Sequence, residues 1–529
     1  MESTCLRQTE VPGTSRLFAD LVYNFDRVSD LYPHRPNSLE AVAQAAAFEF
    51  PDARRAALVS ALAPLNPGNP SLDLLARPGT VAIITGQQVG LFSGPVYTIY
   101  KALTAIQTAR QLSELGTPAV PVFWMATEDH DFAEVNHVHV FGADRQPVTL
   151  RVAARLPGND STGTRPVGGI VPGDMPIAEL RAALHGLPFA DETVALVERS
   201  CQGELTMGSA FARLLSEIFR PFHLLFVDPM TPALREIAAP LMREAVERMP
   251  ELADSLIARS KQLVDRGYHA QVLVDAQTSL AFLLENGHRY ALRRTGGNFT
   301  AGSHKFSAAD LAARAHQLSP NALLRPVLQD YMFPTAAYVG GPAELAYFAQ
   351  SEVLYRNLLG RQPVAMPRAG FTILDEKSAK HMRRYGLAAA DVFADERTLG
   401  DAIGRRLVPQ QLKRSLENTQ SAFTVALNAL EADLAKLDPS LVAALANSRK
   451  KIEYQAGRLV AKTTRRIYER DEQAARHARQ LSGFVFPAKH LQERYYSVLP
   501  FLAQFGMGFI DDVCAATQIG CPDHQFLTL

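Results

Sequence analysis

The stretch from Thr80 to Ala126 constrains this chain more than any other part of it. Thr80-Val-Ala-Ile-Ile-Thr85 is a short apolar run rich in β-branched residues, the composition of a buried strand. A glycine-rich turn, Gly86 to Gly94, follows it. Pro95 to Leu115 then has helix-forming composition, with apolar residues at Ile99, Leu103, Ile106 and Leu112. Gly116 and Pro118 end that helix. Ala119 to Ala126 (AVPVFWMA) is a second apolar strand. Strand, helix and strand in such close succession make a βαβ unit, whose strands are parallel and whose crossover is right-handed. The fold class is therefore α/β, built on a parallel sheet.

The remaining chain reads as additions to that core. Residues 1–78 look mostly helical, with Ala-rich segments at Ser38 to Phe50 and Pro51 to Ala63 and a break at Pro64 to Pro70. Residues 137–182 read as an inserted β-containing subdomain. There His137-Val-His-Val-Phe alternates, Pro147 to Ala153 is strand-like, and Pro157 to Asp174 is rich in Gly, Pro and Thr. Helices resume from about Ile177 to Phe219. His223 to Asp228 is a core strand, followed by Pro229 and a long helix to about Arg248. Leu280 to Leu292 reads as a hairpin turning at Asn286-Gly287. Met332 to Val339 is a further strand, Gly340-Gly341-Pro342 opens a helix to about Leu359, and Val364 to Met366 is a last strand.

From Leu412 the apolar positions run Leu412, Leu416, Thr419, Phe423, Leu427, Leu430, Leu434 and Leu437, a heptad-like seam. Asp438-Pro439 is a capping pair for a second helix, which carries Leu441, Leu445, Ile452, Leu459, Ile467, Ala474 and Leu481. The two helices are expected to pack antiparallel. The expected divisions are a helical segment at 1–78, a core at 79–375 with insertions near 137–220 and 260–310, a coiled coil at 376–487, and a segment at 488–529 docking back on the core.

Composition narrows the function. Of 529 residues, Lys plus Arg number 54 and Asp plus Glu number 54, a formal net charge of zero. That balance argues against a dedicated nucleic-acid binder or a polybasic membrane protein. The four cysteines, Cys5, Cys201, Cys514 and Cys521, are scattered without a C-x-x-C pair, so a reducing compartment fits best. No apolar run suits a signal peptide or a membrane span, and a soluble cytoplasmic protein is expected.

Three strand ends carry chemistry. In Thr85-Gly86-Gln87-Gln88-Val89-Gly90, continuing through Gly94 and Tyr97 to Lys101, backbone N–H groups and a helix N-terminus offer a site for phosphate or another anion, or else a turn that needs glycine only for sterics. The segment is neither a P-loop nor a G-x-G-x-x-G fingerprint. Glu128-Asp129-His130-Asp131, with Glu134, Asn136 and His137, puts carboxylates and imidazoles directly after a strand. Such groups can ligate a metal, relay protons or orient a substrate ammonium, or else form a charged loop capping the next element; without HExxH, zinc is not expected. Tyr338, Gly340, Gly341, Glu344 and Tyr347 form a third strand end, where Glu344 and Tyr347 share a helix face. Asp228 ends a fourth strand and caps the next helix in the plainer reading. Arg325 could neutralise a carboxylate or phosphate. Cys514, Cys521, Asp523 and His524 cluster in sequence; structural thiols and a docked tail are the plainer reading than a metal site, and no metal is assigned.

The segments ITGQQVGLFSGPVYTIYK, PVFWMATEDHDFAEVNHV, AYVGGPAELAYFAQ and CPDHQFLTL together resemble the BshC family, the cysteine ligases of bacillithiol biosynthesis. The resemblance spans essentially the whole chain. It implies a Rossmann-type core with connecting-peptide insertions, distantly similar to class I aminoacyl-tRNA synthetases, a coiled-coil domain and homodimers. It also implies that L-cysteine is joined to glucosaminyl malate, with ATP and its Mg²⁺ as energy source. The expected catalytic residues are Glu128, Asp129, His130, Asp131 and His137; Asp129, His130 and Asp131 would hold the cysteine ammonium or deprotonate the sugar amine. ATP would meet Thr85, Gly86, Gln87, Gln88, Gly90, Gly94, Tyr97 and Lys101, and substrate would meet Asn136, Tyr338, Gly340, Gly341, Glu344 and Tyr347. The synthetases' His-containing ATP motif is absent, since Gly86-Gln87-Gln88 stands in its place. Another ATP-dependent ligase or nucleotidyltransferase on this core, or a non-catalytic nucleotide-binding scaffold, is the alternative.

Overall fold

A computed structural model describes residues 2–156, 161–302 and 304–529. Its centre is a parallel sheet of five strands: β1 (Val81–Gln88), β2 (Ala119–Ala126), β3 (Leu225–Val227), β4 (Thr335–Gly340) and β5 (Val364–Pro367). Their spatial order is β3-β2-β1-β4-β5, with every neighbouring pair parallel. This is the doubly wound order, in which the chain direction of travel reverses between β1 and β4.

Both faces of the sheet are covered, which explains why its strands are apolar throughout rather than alternating. Helix α1 (Tyr97–Glu114) buries Ala105, Ala109 and Leu112 against Val81 and Ile83 on one face. The opposite residues of β1, Ala82 and Ile84, pack into a second cluster with Trp124, Leu241 and Met242 and with Leu345 and Phe348 of α2 (Pro342–Leu358). Fully burying each Val, Ile, Leu, Met or Phe side chain among these is worth about 1.5–3 kcal/mol.

Two further sheets frame the core. Between β3 and β4 the chain inserts an antiparallel sheet built from Thr278–Glu285, His288–Thr295, Asn298–Ala301, His304–Ser307 and Leu318–Pro320. The expected hairpin is its centre, and Asn286 (φ 54°) and Gly287 (φ 78°) supply the left-handed turn. In the other, His524–Thr528 pairs antiparallel with Glu2–Leu6 and parallel with Gly370–Leu374. The N-terminal segment is thus not helical from its start. A five-residue strand whose partner lies at the far end of the chain leaves no local pattern to read. The first Ala-rich segment also forms a shorter helix than expected, Leu39–Ala45.

In the segment 137–182, His137–Phe141 and Pro147–Arg151 form a two-stranded hairpin. Of the Gly/Pro/Thr-rich stretch after it, residues 157–160 lie outside the described residues.

Helices α3 (Gln410–Leu437) and α4 (Ser440–Arg470) form the antiparallel pair, and Asp438 Oδ1 accepts from Ser440 N at 2.8 Å as the cap. Each runs for more than 40 Å at about 1.5 Å per residue. The second helix does not continue to Leu481. It stops at Asp471, whose Oδ1 accepts from Ala474 N at 2.9 Å and caps α5 (Glu472–Val485) instead. Among the described residues no single helix is long and apolar enough to cross a membrane.

Candidate active site

A cavity of about 630 Å³ opens at the carboxyl ends of β1, β2 and β4, where the doubly wound order reverses. That volume suits a small-molecule ligand, and that position is where open α/β sheets bind them.

The first wall is the end of β1. Gly86, Gln87 and Gln88 line it. A Cβ on Gly86 would meet Trp124 O of β2 at 2.8 Å, so only glycine lets the strands close here. Lys101, 2% exposed, reaches back from α1 and donates to Gly86 O at 2.8 Å and to Gln87 Oε1 at 3.0 Å, and its Nζ lies 2.5 Å from Glu344 Oε2. Its three donors are thereby spent on the protein. Gln87 Nε2 donates to Tyr97 OH at 3.0 Å, and Gln88 Nε2 donates to Asp129 Oδ2 at 2.6 Å and to Glu134 Oε2 at 3.1 Å.

The glycine turn itself does not offer its backbone to the cavity. Gly94 N donates to Leu91 O at 2.9 Å, and Val96 N donates to Tyr496 O at 2.7 Å. Gly90 and Gly94 (φ 65°) shape the bend and are not among the lining residues, and the Thr85 hydroxyl donates to Val339 O at 2.8 Å inside the sheet. The steric reading of this turn therefore describes its backbone.

The second wall is Glu128, Asp129, His130 and Glu134, carried by the loop after β2. Asp129 Oδ1 accepts from His130 N at 2.8 Å. Glu128, 4% exposed, accepts from Ser319 Oγ at 2.8 Å. Three expected members turn elsewhere. Asp131 Oδ1 caps a short helix by accepting from Glu134 N at 3.1 Å, while His137 Nδ1 stands 3.3 Å from Asn136 Oδ1, outside the cavity. The period of two in the strand starting at His137 carries those side chains away from the loop before it.

The third wall is the β4–α2 junction. Tyr338, Gly341, Glu344 and Tyr347 line the cavity; Gly340 does not. Tyr338 OH donates to Glu344 Oε1 at 2.7 Å and Gly341 N donates to Glu344 Oε2 at 2.8 Å. The positive end of α2 is thus occupied by the chain's own carboxylate. Burial alone would raise the Glu344 carboxyl, but the Lys101 ammonium and these donors hold it below the usual carboxylate range.

Several lining residues carry no sequence signature, four of them from elements outside the three strand ends. Arg289 and Pro320 come from the inserted sheet, and Arg368 and Arg494 come from beyond β5. The visible hint for Arg289 was an arginine at an inward strand position, 7% exposed between half-buried His288 and Tyr290. Arg368 is neutralised by Glu493 in a buried two-point pair, with Nη1 to Oε2 at 2.8 Å and Nη2 to Oε1. Arg325 donates only to neutral groups, Gln329 Oε1 at 3.1 Å and Tyr347 OH at 2.9 Å among them. Among the described residues neither Arg325 nor Arg494 has a carboxylate within ion-pair distance. With Lys101 paired to Glu344, Arg368 to Glu493 and Arg289 3.9 Å from Asp129 Oδ1, Arg325 and Arg494 are the lining cations left without a carboxylate at ion-pair distance among the described residues.

The C-terminal Cys and His residues do not converge. Asp523 Oδ1 accepts from Tyr23 OH at 2.5 Å, Cys514 is buried, and His524 Nε2 lies 2.8 Å from Thr372 Oγ1.

Comparison with known proteins agrees with this arrangement. A model for the bacillithiol biosynthesis BshC N-terminal Rossmann-like domain matches residues 1–369, and one for the BshC C-terminal coiled-coil domain matches residues 371–529. The chain belongs to the BshC family. A BshC protein of Solibacter usitatus is 50% identical over 100% of both chains. Its counterpart in Koribacter versatilis is 34% identical over 99% of each, and that of Salinibacter ruber is 31% identical over 96% of this chain and 95% of its own. All three carry the name "Putative cysteine ligase BshC". The Rossmann-type core and the coiled coil of BshC proteins are the two parts described above.

Proposed function

We propose that this chain is an ATP-dependent ligase that joins the carboxyl of L-cysteine to the amine of glucosaminyl malate. The observation that carries the reading is the cavity at the reversal point, lined by Asp129 and His130 and by Arg325 and Arg494, which have no carboxylate at ion-pair distance among the described residues. The family description and the relatives' names support the reaction. A carboxylate and an amine do not condense unaided, so the carboxyl needs activation, and ATP is the expected source. Mg²⁺ arriving with a nucleotide needs only one or two carboxylates beside phosphate oxygens and water, and Glu134 is the group that would hold it.

In this reading Arg325 and Arg494 hold anionic groups of the substrates, and the Asp129 carboxylate receives the proton that the attacking amine sheds. The test is incubation with Mg²⁺, α-labelled ATP, L-cysteine and glucosaminyl malate, following nucleotide and thiol products. AMP with a cysteinyl amide establishes the ligase through an adenylate, and ADP with the same amide establishes it through an acyl phosphate. A folded, nucleotide-binding protein that forms no amide sinks the proposal.

Arg325→Met and Arg494→Met are each expected to raise the KM for the acidic sugar substrate about tenfold to a hundredfold, at about 1.5–3 kcal/mol per charged hydrogen bond, with kcat little changed. Steady-state kinetics at fixed ionic strength checks this, and an unchanged KM in both variants removes them from substrate recognition.

The coiled coil is proposed to pair two copies of the chain. No residue of α3 is buried, and Phe423 (46% exposed), Leu430 (46%) and Leu459 (58%) leave an apolar face open. Phe423→Glu is expected to convert a dimer to a monomer in light scattering while the core melts unchanged. A wild-type monomer at micromolar concentration rules the pairing out.

A further inference from the structure

The contact between His130 and Arg289 decides what His130 can do. Arg289 Nη1 lies 3.2 Å from His130 Nδ1. A guanidinium has five N–H donors, no acceptor, and keeps its proton in proteins. Nδ1 is therefore the acceptor, and the single ring proton of a neutral imidazole sits on Nε2.

Arg289 is not free to turn away. Its Nε donates to Ser319 Oγ at 3.0 Å and its Nη2 to Pro320 O at 2.8 Å. Its guanidinium lies over the Phe282 ring at 3.8 Å. Ser319 in turn donates to buried Glu128, so the inserted sheet and the β2 loop are locked to each other through this side chain. The other groups facing the imidazole leave the assignment intact. Asp129 Oδ1 stands 3.9 Å from the same Nδ1, too far for a hydrogen bond. Asp131 acts from the same loop, and the Phe282 ring centroid lies 5.8 Å away. Nε2 has no protein partner among the described residues, and the ring lines the cavity.

We infer that His130 serves the reaction as a neutral hydrogen-bond donor through Nε2–H, toward an oxygen that gains negative charge, and that Arg289 is the positioning residue that sets this tautomer. Burial first, and then the Arg289 charge, lower the imidazole pKa against the pull of Asp129 and Asp131. A neutral imidazole kept as a donor can polarise a carbonyl without transferring a proton. His130 is then not the base expected from its place in the Asp-His-Asp run, and the amine's proton leaves to Asp129. Which oxygen is polarised rests on the ligase reading; the tautomer does not.

The tautomer is read by ¹⁵N NMR of the full chain labelled at histidine, with His130→Gln assigning the signal. At pH 6.5, where an unperturbed imidazole is about half protonated, His130 is expected to show protonated Nε2 and bare Nδ1. An Nδ1–H tautomer or an imidazolium at that pH overturns the inference, whether or not the protein proves to be a ligase. For the donor role, His130→Gln keeps an N–H and is expected to stay within about tenfold of wild type. His130→Ala is expected to lose about 10²–10³-fold. Equal losses in both overturn the donor role. Arg289→Gln removes the charge, so the neutral active form should give way at higher pH and the acid limb of kcat/KM should move upward. A uniformly weaker enzyme with an unmoved limb would make Arg289 merely structural.

Discussion

Lys101→Met is expected to destabilise the folded chain by about 3–5 kcal/mol and to abolish amide formation. The methionine fills the same volume, so the loss is electrostatic rather than a cavity. Lys101 is the only cation within ion-pair distance of Glu344 among the described residues. Without it, Glu344 keeps its charge beside Tyr338 and the α2 N-terminus with no counterion at ion-pair distance among the described residues, and Gly86 O loses its donor. Denaturant titration of both forms measures the effect. The double variant Lys101→Met/Glu344→Gln is expected to recover much of the stability, because it removes the stranded charge. A single variant as stable as wild type would show that the ammonium does not hold this wall together.

Asp129→Asn is expected to lower kcat by about 10²–10⁴-fold while the protein stays folded and binds its substrates. Asparagine keeps an oxygen for the His130 N–H and the same shape, so the backbone of the loop is unaffected. It cannot take a proton from an amine. Asp129→Glu, which keeps the carboxylate but moves it by one methylene, should fall between the two. Activity of the asparagine form within tenfold of wild type would assign the proton to another group, and Glu134, joined to Asp129 through the Gln88 amide, would be next.

The expectations that held are local ones. Thr80 to Ala126 forms β1, α1 and β2 as periodicity implied, because an apolar run, a glycine break and a 3.6-residue repeat are properties of neighbouring residues. The Asn286-Gly287 turn and the Asp438 cap are local for the same reason. Where expectation and structure part, the partner is distant. Glu2–Leu6 is a strand because His524–Thr528 lies beside it. Lys101, one helical turn into α1, belongs to Glu344 rather than to an open anion site. The break at Asp471 is the exception, a local cap on Ala474 N that interrupts an otherwise continuous helical pattern.

The same division runs through the site. The sequence by itself determined that polar groups would follow apolar strands at Gly86, Glu128 and Gly341, because chain order and strand direction put those groups at one edge of a parallel sheet. Only the tertiary structure decided which of them meet. The order β3-β2-β1-β4-β5 sets β4 against β1 across more than two hundred residues, and so brings Glu344 to Lys101. The inserted sheet delivers Arg289 to His130, and the returning C-terminal segment delivers Arg494 to the cavity. Periodicity records which face of an element is buried; it carries no information on which distant side chain will stand opposite, and the charge and tautomer of a buried group are set by that neighbour.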